Sequence, residues 1–252
     1  MPPASNIESD VELALAAELQ AALLPRQCPG DCPHQVAAAR NRMSGAVGGD
    51  FYTFLRLHRD QIALLIGDVV GHGVHAALVM SQIMGYLHSR PEQCARPSQL
   101  VRSLNEMLLD LGRKTDSVIP CSLLYGVIDG PTGTSFFVNM GHPPPFLCSR
   151  RECRTMPLIA QNMLLGVESF EPEETCHTFT PGERLVLYTD GLTDAMNSDG
   201  ERFEAFRLQE AIRRHIDDDA DACADGVFQE VTNFRGDAPQ TDDETIVVID
   251  RV

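Results

Sequence analysis

The sequence predicts an α+β domain in which antiparallel β-sheets carry helices laid against them. Three observations predict it. Strand-like segments outnumber helix-like ones, most neighbouring strand segments are joined by hairpin-length loops, and strands do not alternate with helices as a parallel βαβ sheet requires. Of the 252 residues, 43% are hydrophobic and 22% charged, a balance that supports a buried core and excludes wholesale disorder.

The elements follow in order. Ser5-Asn6-Ile7-Glu8 has the form of a capping box, and Ile7, Val11, Leu15, Leu19 and Leu23 recur at helical spacing until Pro25 stops the run. Residues 1–25 therefore form an amphipathic helix ahead of a main domain, residues 26–252. The helix has two readings: it packs on its own domain, or it is a connector to a sensor or a dimer seam. Residues 35–41, 47–57 and 61–68 read as strands, the last with the continuous apolar run Ile62–Ile66 of a buried strand. Residues 74–88 are apolar nearly all round, which predicts a buried helix. Residues 98–112 make a second helix, with Leu100, Leu104, Met107, Leu108 and Leu111 on one side. Strands at 118–129 and 134–140 flank the turn Asp129-Gly130-Pro131-Thr132-Gly133. After Pro143-Pro144-Pro145 come strands at 146–148, 153–158, 175–180 and 183–189, helices at 203–215 and 220–234, and a last strand at 244–251.

Charge narrows the function classes. With 20 Lys and Arg against 36 Asp and Glu the net charge is −16, so phosphate backbones and anionic lipid surfaces are repelled. No apolar run approaches the roughly 20 residues of a membrane helix. Met1–Asp10 is polar and acidic, unlike a signal peptide, and the eight irregularly spaced cysteines read as free thiols of a cytoplasmic protein. Asp217, Asp218, Asp219, Asp221 and Asp225, and Glu171, Glu173 and Glu174, read as solvated runs.

Four acidic sites depart from that pattern by standing at the ends of apolar strands. They are Gly48-Gly49-Asp50, Gly67-Asp68, Asp190-Gly191 and Asp242-Asp243. A charged, unpaired carboxylate is costly to bury. Several together repel one another unless a cation sits between them, and an all-oxygen ligand set suits Mg²⁺ or Mn²⁺. Each alone is equally compatible with a turn, and spacing does not bring the four together. Gly67-Asp68-Val69-Val70-Gly71-His72-Gly73 is the densest of these segments. There His72 reads either as a turn histidine or as a general acid or supporting group. His142, in Gly141-His142-Pro143, reads as structural. No Walker loop, helix-opening G-x-G-x-x-G or G-x-S-x-G is present, and Cys28-x3-Cys32-x-His34 lacks the second half of a zinc site.

Taken together, these segments resemble the bacterial SpoIIE/RsbU branch of the PPM (type 2C) metal-dependent Ser/Thr protein phosphatases. The matching stretches are Leu19-Gln20-x3-Leu24-Pro25, Val47-Gly48-Gly49-Asp50-Phe51-Tyr52, Gly67–Gly73 with Ala76-Ala77-Leu78, and Leu104-Asn105. Tyr125–Asp129, Gly141-His142-Pro143-Pro144, Leu165-Gly166-Val167, Tyr188–Ala195 and Asp242-Asp243-Glu244-Thr245 complete the set, in the family's order over about nine-tenths of the chain. The resemblance implies a four-layer αββα sandwich with two Mn²⁺ or Mg²⁺ ions in a cleft at one edge, residues 26–252 being the catalytic domain. Carried over by position, Asp68 would bridge both ions, the Val69 carbonyl would help hold one, Asp190 and Asp242 would bind the other, and Asp50 would act directly or through water. Asp243 stands where the family varies and is the alternative metal ligand to Asp242. Asp68, Asp190 and His72 are the expected catalytic residues.

The implied reaction is hydrolysis of phosphoserine or phosphothreonine on a bacterial regulatory protein by a metal-activated water. The implied partner is an anti-sigma factor antagonist of the STAS type. The alternative is a weakly or non-catalytic partner-switching module that binds the phosphoprotein. A third reading is hydrolysis of a small phosphorylated metabolite or nucleotide. No sensor domain is expected, and a homodimer would form through residues 7–24. The chain departs from the family at Thr53, where Asp is usual, and at Ser122, where Thr is usual. It also lacks the arginine that grips phosphate in eukaryotic relatives, for which Arg40 and Arg42 are candidate substitutes.

Overall fold

Two five-stranded antiparallel sheets lie face to face in the computed structural model, which describes residues 4–25, 27–28, 32–57, 60–149, 154–157 and 162–252. The chain begins with α1 (Ala4–Leu23), β1 (Gln35–Arg42), β2 (Asp50–Arg56), β3 (Gln61–Val69), α2 (Val74–Ser89) and α3 (Pro97–Thr115). It continues through β4 (Cys121–Asp129), β5 (Thr134–Met140), β6 (Phe146–Ser149), β7 (Arg154–Pro157), β8 (Thr175–Thr178) and β9 (Glu183–Tyr188). Then come α4 (Asp190–Asp194), α5 (Glu204–Arg214), α6 (Ala220–Arg235) and β10 (Glu244–Arg251). One sheet has the order β2-β3-β4-β5-β8 and the other β1-β10-β9-β6-β7. The side chains of the Ser5–Glu8 capping box lie outside those described.

Three apolar layers explain why the strands read as they do. Leu64 and Ile66 of β3 join Tyr52, Phe54, Leu187, Val247 and Ile249 between the sheets, while Ala63 and Leu65 face α2 and α3. The run Ile62–Ile66 is continuous because β3 is covered on both faces. On the far side, Val186, Tyr188, Ile246 and Val248 pack under α5 and α6. The αββα sandwich follows.

Four expectations are corrected. Residues 47–49 are a loop, and β2 starts at Asp50. Residues 190–194 form a short helix that apolar periodicity does not mark. Helix α2 is not buried all round: Ala76, Val79, Met80, Ile83, Met84 and Leu87 cover the sheet, while Val74 and Leu78 face outward, Leu78 at 66% exposure. A two-layer packing has only one sheet face to offer each helix. Finally, the acidic run before and within α6 is not simply solvated. Asp219 caps α6 by accepting from the Ala222 amide, and Asp221 and Asp225 receive the Arg40 guanidinium at 3.1 and 2.6 Å.

Arg184 ties the second sheet to its helices. Its side chain is fully buried and makes a two-pronged pair with Asp250 at 2.7 and 2.8 Å, while donating to the His215 and Asp218 carbonyls. A charge out of water is tolerated only when its hydrogen bonds are met this fully. Arg184→Ala removes the two-pronged pair with Asp250 and the donors to the His215 and Asp218 carbonyls. It is expected to cost roughly 3–5 kcal/mol, read as a lower urea midpoint at unchanged slope.

Candidate active site

The strand ends converge at one edge of the sandwich. Asp50 opens β2 and stands opposite Asp68 on β3, which stands opposite Ser122 on β4. All three alternate in phase with the residues between the sheets, so the row lies on the inner face. From the other sheet, Asp190 follows β9 and Asp242-Asp243 precede β10, and β9 and β10 are antiparallel neighbours. Carboxylates from both sheets therefore meet at the same end.

Hydrogen bonds across the gap hold that meeting place. The hydroxyls of Thr189 and Thr245 both donate to one carboxylate oxygen of the buried Asp50, the former at 2.7 Å. Asp243 accepts from the Ser44 amide and hydroxyl at 2.8 and 3.0 Å and from the Gly49 amide at 2.8 Å. Gly48 is gripped from α1, where the Gln20 side-chain amide donates to its carbonyl at 2.7 Å and accepts from its N–H at 3.0 Å. The glycines are required by close approach. A Cβ on Gly48 would strike the Asp243 carboxylate, and one on Gly191 the Asp243 carbonyl. A Cβ on Gly49 would lie 2.6 Å from the Val69 carbonyl and 3.0 Å from the Asp68 carboxylate.

The electrostatics follow from this crowding. Burial, then the charges of Asp190, Asp242 and Asp243, push the Asp68 carboxyl up to about 7. Burial and then the Asp68 charge hold Asp50 well above the usual carboxylate range, against the pull of its two threonine donors. Asp190 is raised by burial and then by Asp242 and Asp194. Asp242 is raised by burial and by Asp243 and Asp194, with His72 opposing. His72 itself is exposed at the rim. A cleft of about 410 Å³ runs from His72 past Ser44 and Thr241 to Leu13 of α1.

The donors suit a hard divalent cation in kind, since they are carboxylates with a peptide carbonyl close by. The arrangement is open rather than a closed cage. Among the described residues no three acidic, histidine or cysteine side chains converge tightly enough to hold an ion alone. Mg²⁺ and Mn²⁺ sites commonly complete their shells with water, and mutually raised carboxyls are the groups a cation would relieve.

Arg40 and Arg42 point elsewhere. Arg40 is held by Asp221 and Asp225. Arg42 lies over the Phe228 ring at 5.2 Å and donates to the Thr232 hydroxyl. Both fasten β1 to α6. His142 is buried, with Nδ1 2.8 Å from the Ser122 hydroxyl, and burial drives it down to about 3, so it is neutral. Sequence reasoning missed Thr189, Thr245, Ser44 and the Gln20 clamp. Thr189 and Thr245 flank the aspartates, but nothing in their spacing shows that they reach a residue about 140 and 195 positions away.

The raised Asp68 carboxyl gives a sign-determined pH effect. It binds its proton more tightly folded than unfolded. Its contribution is therefore present below its ordinary value of 3.8 and is lost as pH rises through about 7. In chelator, Asp68→Asn is expected to gain stability relative to the unsubstituted chain as pH is raised from acid to neutral, by up to a few kcal/mol. Paired urea titrations across that range measure the difference.

Comparisons with known proteins place the chain in a family. A family profile described as "Stage II sporulation protein E (SpoIIE)" matches residues 58–252. The chain is 26% identical over 247 residues to phosphoserine phosphatase RsbU of Bacillus subtilis, covering 98% of this chain and 71% of that protein. It is 24% identical to phosphoserine phosphatase RsbP of the same organism, covering 95% of this chain and 57% of RsbP. Protein IcfG of Synechocystis matches at 27% identity, and the chain spans 42% of its length. Among solved structures, the SiaA-PP2C domain of Pseudomonas aeruginosa superposes with a TM-score of 0.85 at 20% identity, covering 99% of both chains. The RsbU and RsbW domains of Rv1364c from Mycobacterium tuberculosis give 0.77 at 21% identity, covering 91% of this chain and 63% of that one. With a PP2C fold and more than half its length matched by the family profile, the chain belongs to the SpoIIE family of PP2C-type phosphatases.

Proposed function

We propose that this chain is a metal-dependent protein serine/threonine phosphatase acting on a phosphorylated bacterial regulatory protein. The observation that carries the reading is the meeting of Asp50, Asp68, Asp190 and Asp242 at one edge, with Asp68 pushed up to about 7 by burial and by its neighbours' charge. Two Mn²⁺ or Mg²⁺ ions, with water completing their shells, are the cofactor this reading assigns to that edge. Asp68, Asp190 and Asp242, with the Val69 carbonyl, would hold them. Both oxygens of Asp243 already accept from Ser44 and Gly49, so Asp242 is the freer of that pair and Asp243 fixes the Gly48-Gly49 loop. Asp50, locked by two threonine hydroxyls, holds the floor of the site and reaches an ion directly or through water.

When bound, the ions supply a water of lowered pKa for in-line attack on phosphorus and offset charge on the phosphoryl oxygens. The chain's own residues do the rest. Asp68 and Asp190 orient the reacting centre from opposite sheets. His72, exposed beside Asp242, would deliver a proton to the departing seryl or threonyl oxygen. The open cleft toward α1 gives a folded protein's phosphorylated segment room to enter. Relatives named phosphoserine phosphatase RsbU and RsbP support this substrate class, and a STAS-type anti-sigma factor antagonist is the partner we assign. Among the described residues no helix is long and apolar enough to cross a membrane, in keeping with a cytoplasmic reading.

Hydrolysis of a phosphoserine peptide should require Mn²⁺ or Mg²⁺ and stop with chelator. Asp68→Ala and Asp190→Ala should each lower turnover by roughly 10²-fold or more while the circular dichroism spectrum is kept. Full activity in either variant defeats the assignment. Tight binding of the phosphoprotein without turnover favours the partner-switching alternative.

Within the N-terminal segment, residues 1–25, helix α1 is assigned to a homodimer seam. Val11, Leu15 and Leu19 stand on one stripe of α1 and face solvent, Leu19 at 70% exposure, while Gln20, Leu23 and Leu24 turn inward. Val70, Val74 and Leu78 are exposed as well, on and just before α2, which α1 touches. Sedimentation should show a dimer that Leu15→Glu converts to monomer. A monomer in both cases removes the seam.

A further inference from the structure

His142 sits on the crossover that carries the chain from one sheet to the other, between the end of β5 and the start of β6. Its backbone is fixed by Asn139, whose side chain accepts from the His142 amide at 2.8 Å and donates to its carbonyl at 3.1 Å. Gly141 makes that turn with φ of 64°, where a Cβ would press on Leu164 at 2.8 Å. On one side the imidazole Nδ1 meets the Ser122 hydroxyl at 2.8 Å, and Ser122 is the residue directly opposite Asp68 on the adjoining strand. On the other side the ring faces the Tyr188 backbone, two residues before Asp190. There Nε2 lacks a well-aligned hydrogen-bond partner although it is shut away from solvent. A solvent-excluded ring with one nitrogen poorly paired is an expensive way to fill space, and a leucine or phenylalanine would pack at lower cost.

We propose that His142 is a positioning residue: its imidazole spans the gap between the strand end carrying Asp68 and the strand end carrying Asp190 and sets their separation. The inference rests on the reading of those carboxylates as metal ligands. The threonine bonds to Asp50 join the sheets nearer β2 and β10, and His142 joins them from the β4 and β9 side. The cleft is thus braced from two directions. Loss of the ring lets the two carboxylates drift, and a cation that needs both is held less tightly.

The test is calorimetric titration of Mn²⁺ into chelator-stripped protein, alongside melting in chelator. His142→Ala is expected to weaken Mn²⁺ affinity roughly 10- to 100-fold, the range found when an outer partner of a metal ligand is removed. Ser122→Ala should weaken it by a smaller factor. His142→Asn, which restores a polar atom near the Nδ1 position, should recover part of the loss. A residue that only fills space would shift the chelator melting curve and leave the Mn²⁺ affinity of the folded variants unchanged, and that result overturns the proposal. If His142→Ala fails to fold, Ser122→Ala and His142→Asn decide it. Absence of Mn²⁺ uptake by the unsubstituted chain defeats the metal reading and this inference with it. Uptake at equal affinity by all the variants defeats this inference alone.

Discussion

The bond from Thr189 and Thr245 to Asp50 is the contact on which the site depends. Asp50 belongs to the sheet ordered β2-β3-β4-β5-β8, and both threonines belong to the partner sheet or its edge. Apolar packing between two sheets is non-directional and tolerates sliding. A buried carboxylate with two hydroxyl donors does not, because slippage would leave a charge out of water without its partners. Asp50 stands beside Asp68 and the threonines beside Asp190 and Asp242. Fixing the sheets at this point also fixes where the acidic groups face each other.

The glycine pairs belong to the same constraint. Gly48-Gly49 lets the loop before β2 lie against Asp243, Val69 and Asp68, and Gly191 lets α4 turn against the Asp243 carbonyl. A side chain at any of these positions would hold the carboxylates apart. Gln20 reaches the same loop from α1 and satisfies both polar groups of Gly48. The helix that exposes an apolar stripe to solvent is therefore hydrogen-bonded to the loop that shapes the acidic cleft. A change in how α1 is seated is felt one residue away from the Gly49 amide that holds Asp243.

The acidic surplus divides into working parts. One group crowds the cleft, where mutual repulsion favours a bound cation. A second is committed to arginines that fasten helices to strands: Asp221 and Asp225 on Arg40, Asp250 on Arg184, and Glu244 on Arg235. Others make exposed ion pairs at the surface, among them Asp110 with Lys114 and Glu171 with Arg102. Arg40 and Arg42 are both engaged with α6.

Sequence by itself determined the order of the strands and of the longer helices, the turn at 129–133 and the four acidic strand ends, because these rest on local periodicity, turn chemistry and the cost of ending an apolar run in a charge. The ordered motifs added the family and the sandwich. What lay beyond it were the hydrogen bonds that hold the site in place. The Thr189 and Thr245 bonds to Asp50, the Gln20 clamp and the Ser122–His142 contact join residues from 20 to 195 positions apart. The outward faces of Val74 and Leu78 were likewise set by which side of α2 met the sheet. Periodicity records what a segment can bury, and only the packed structure decides what it meets.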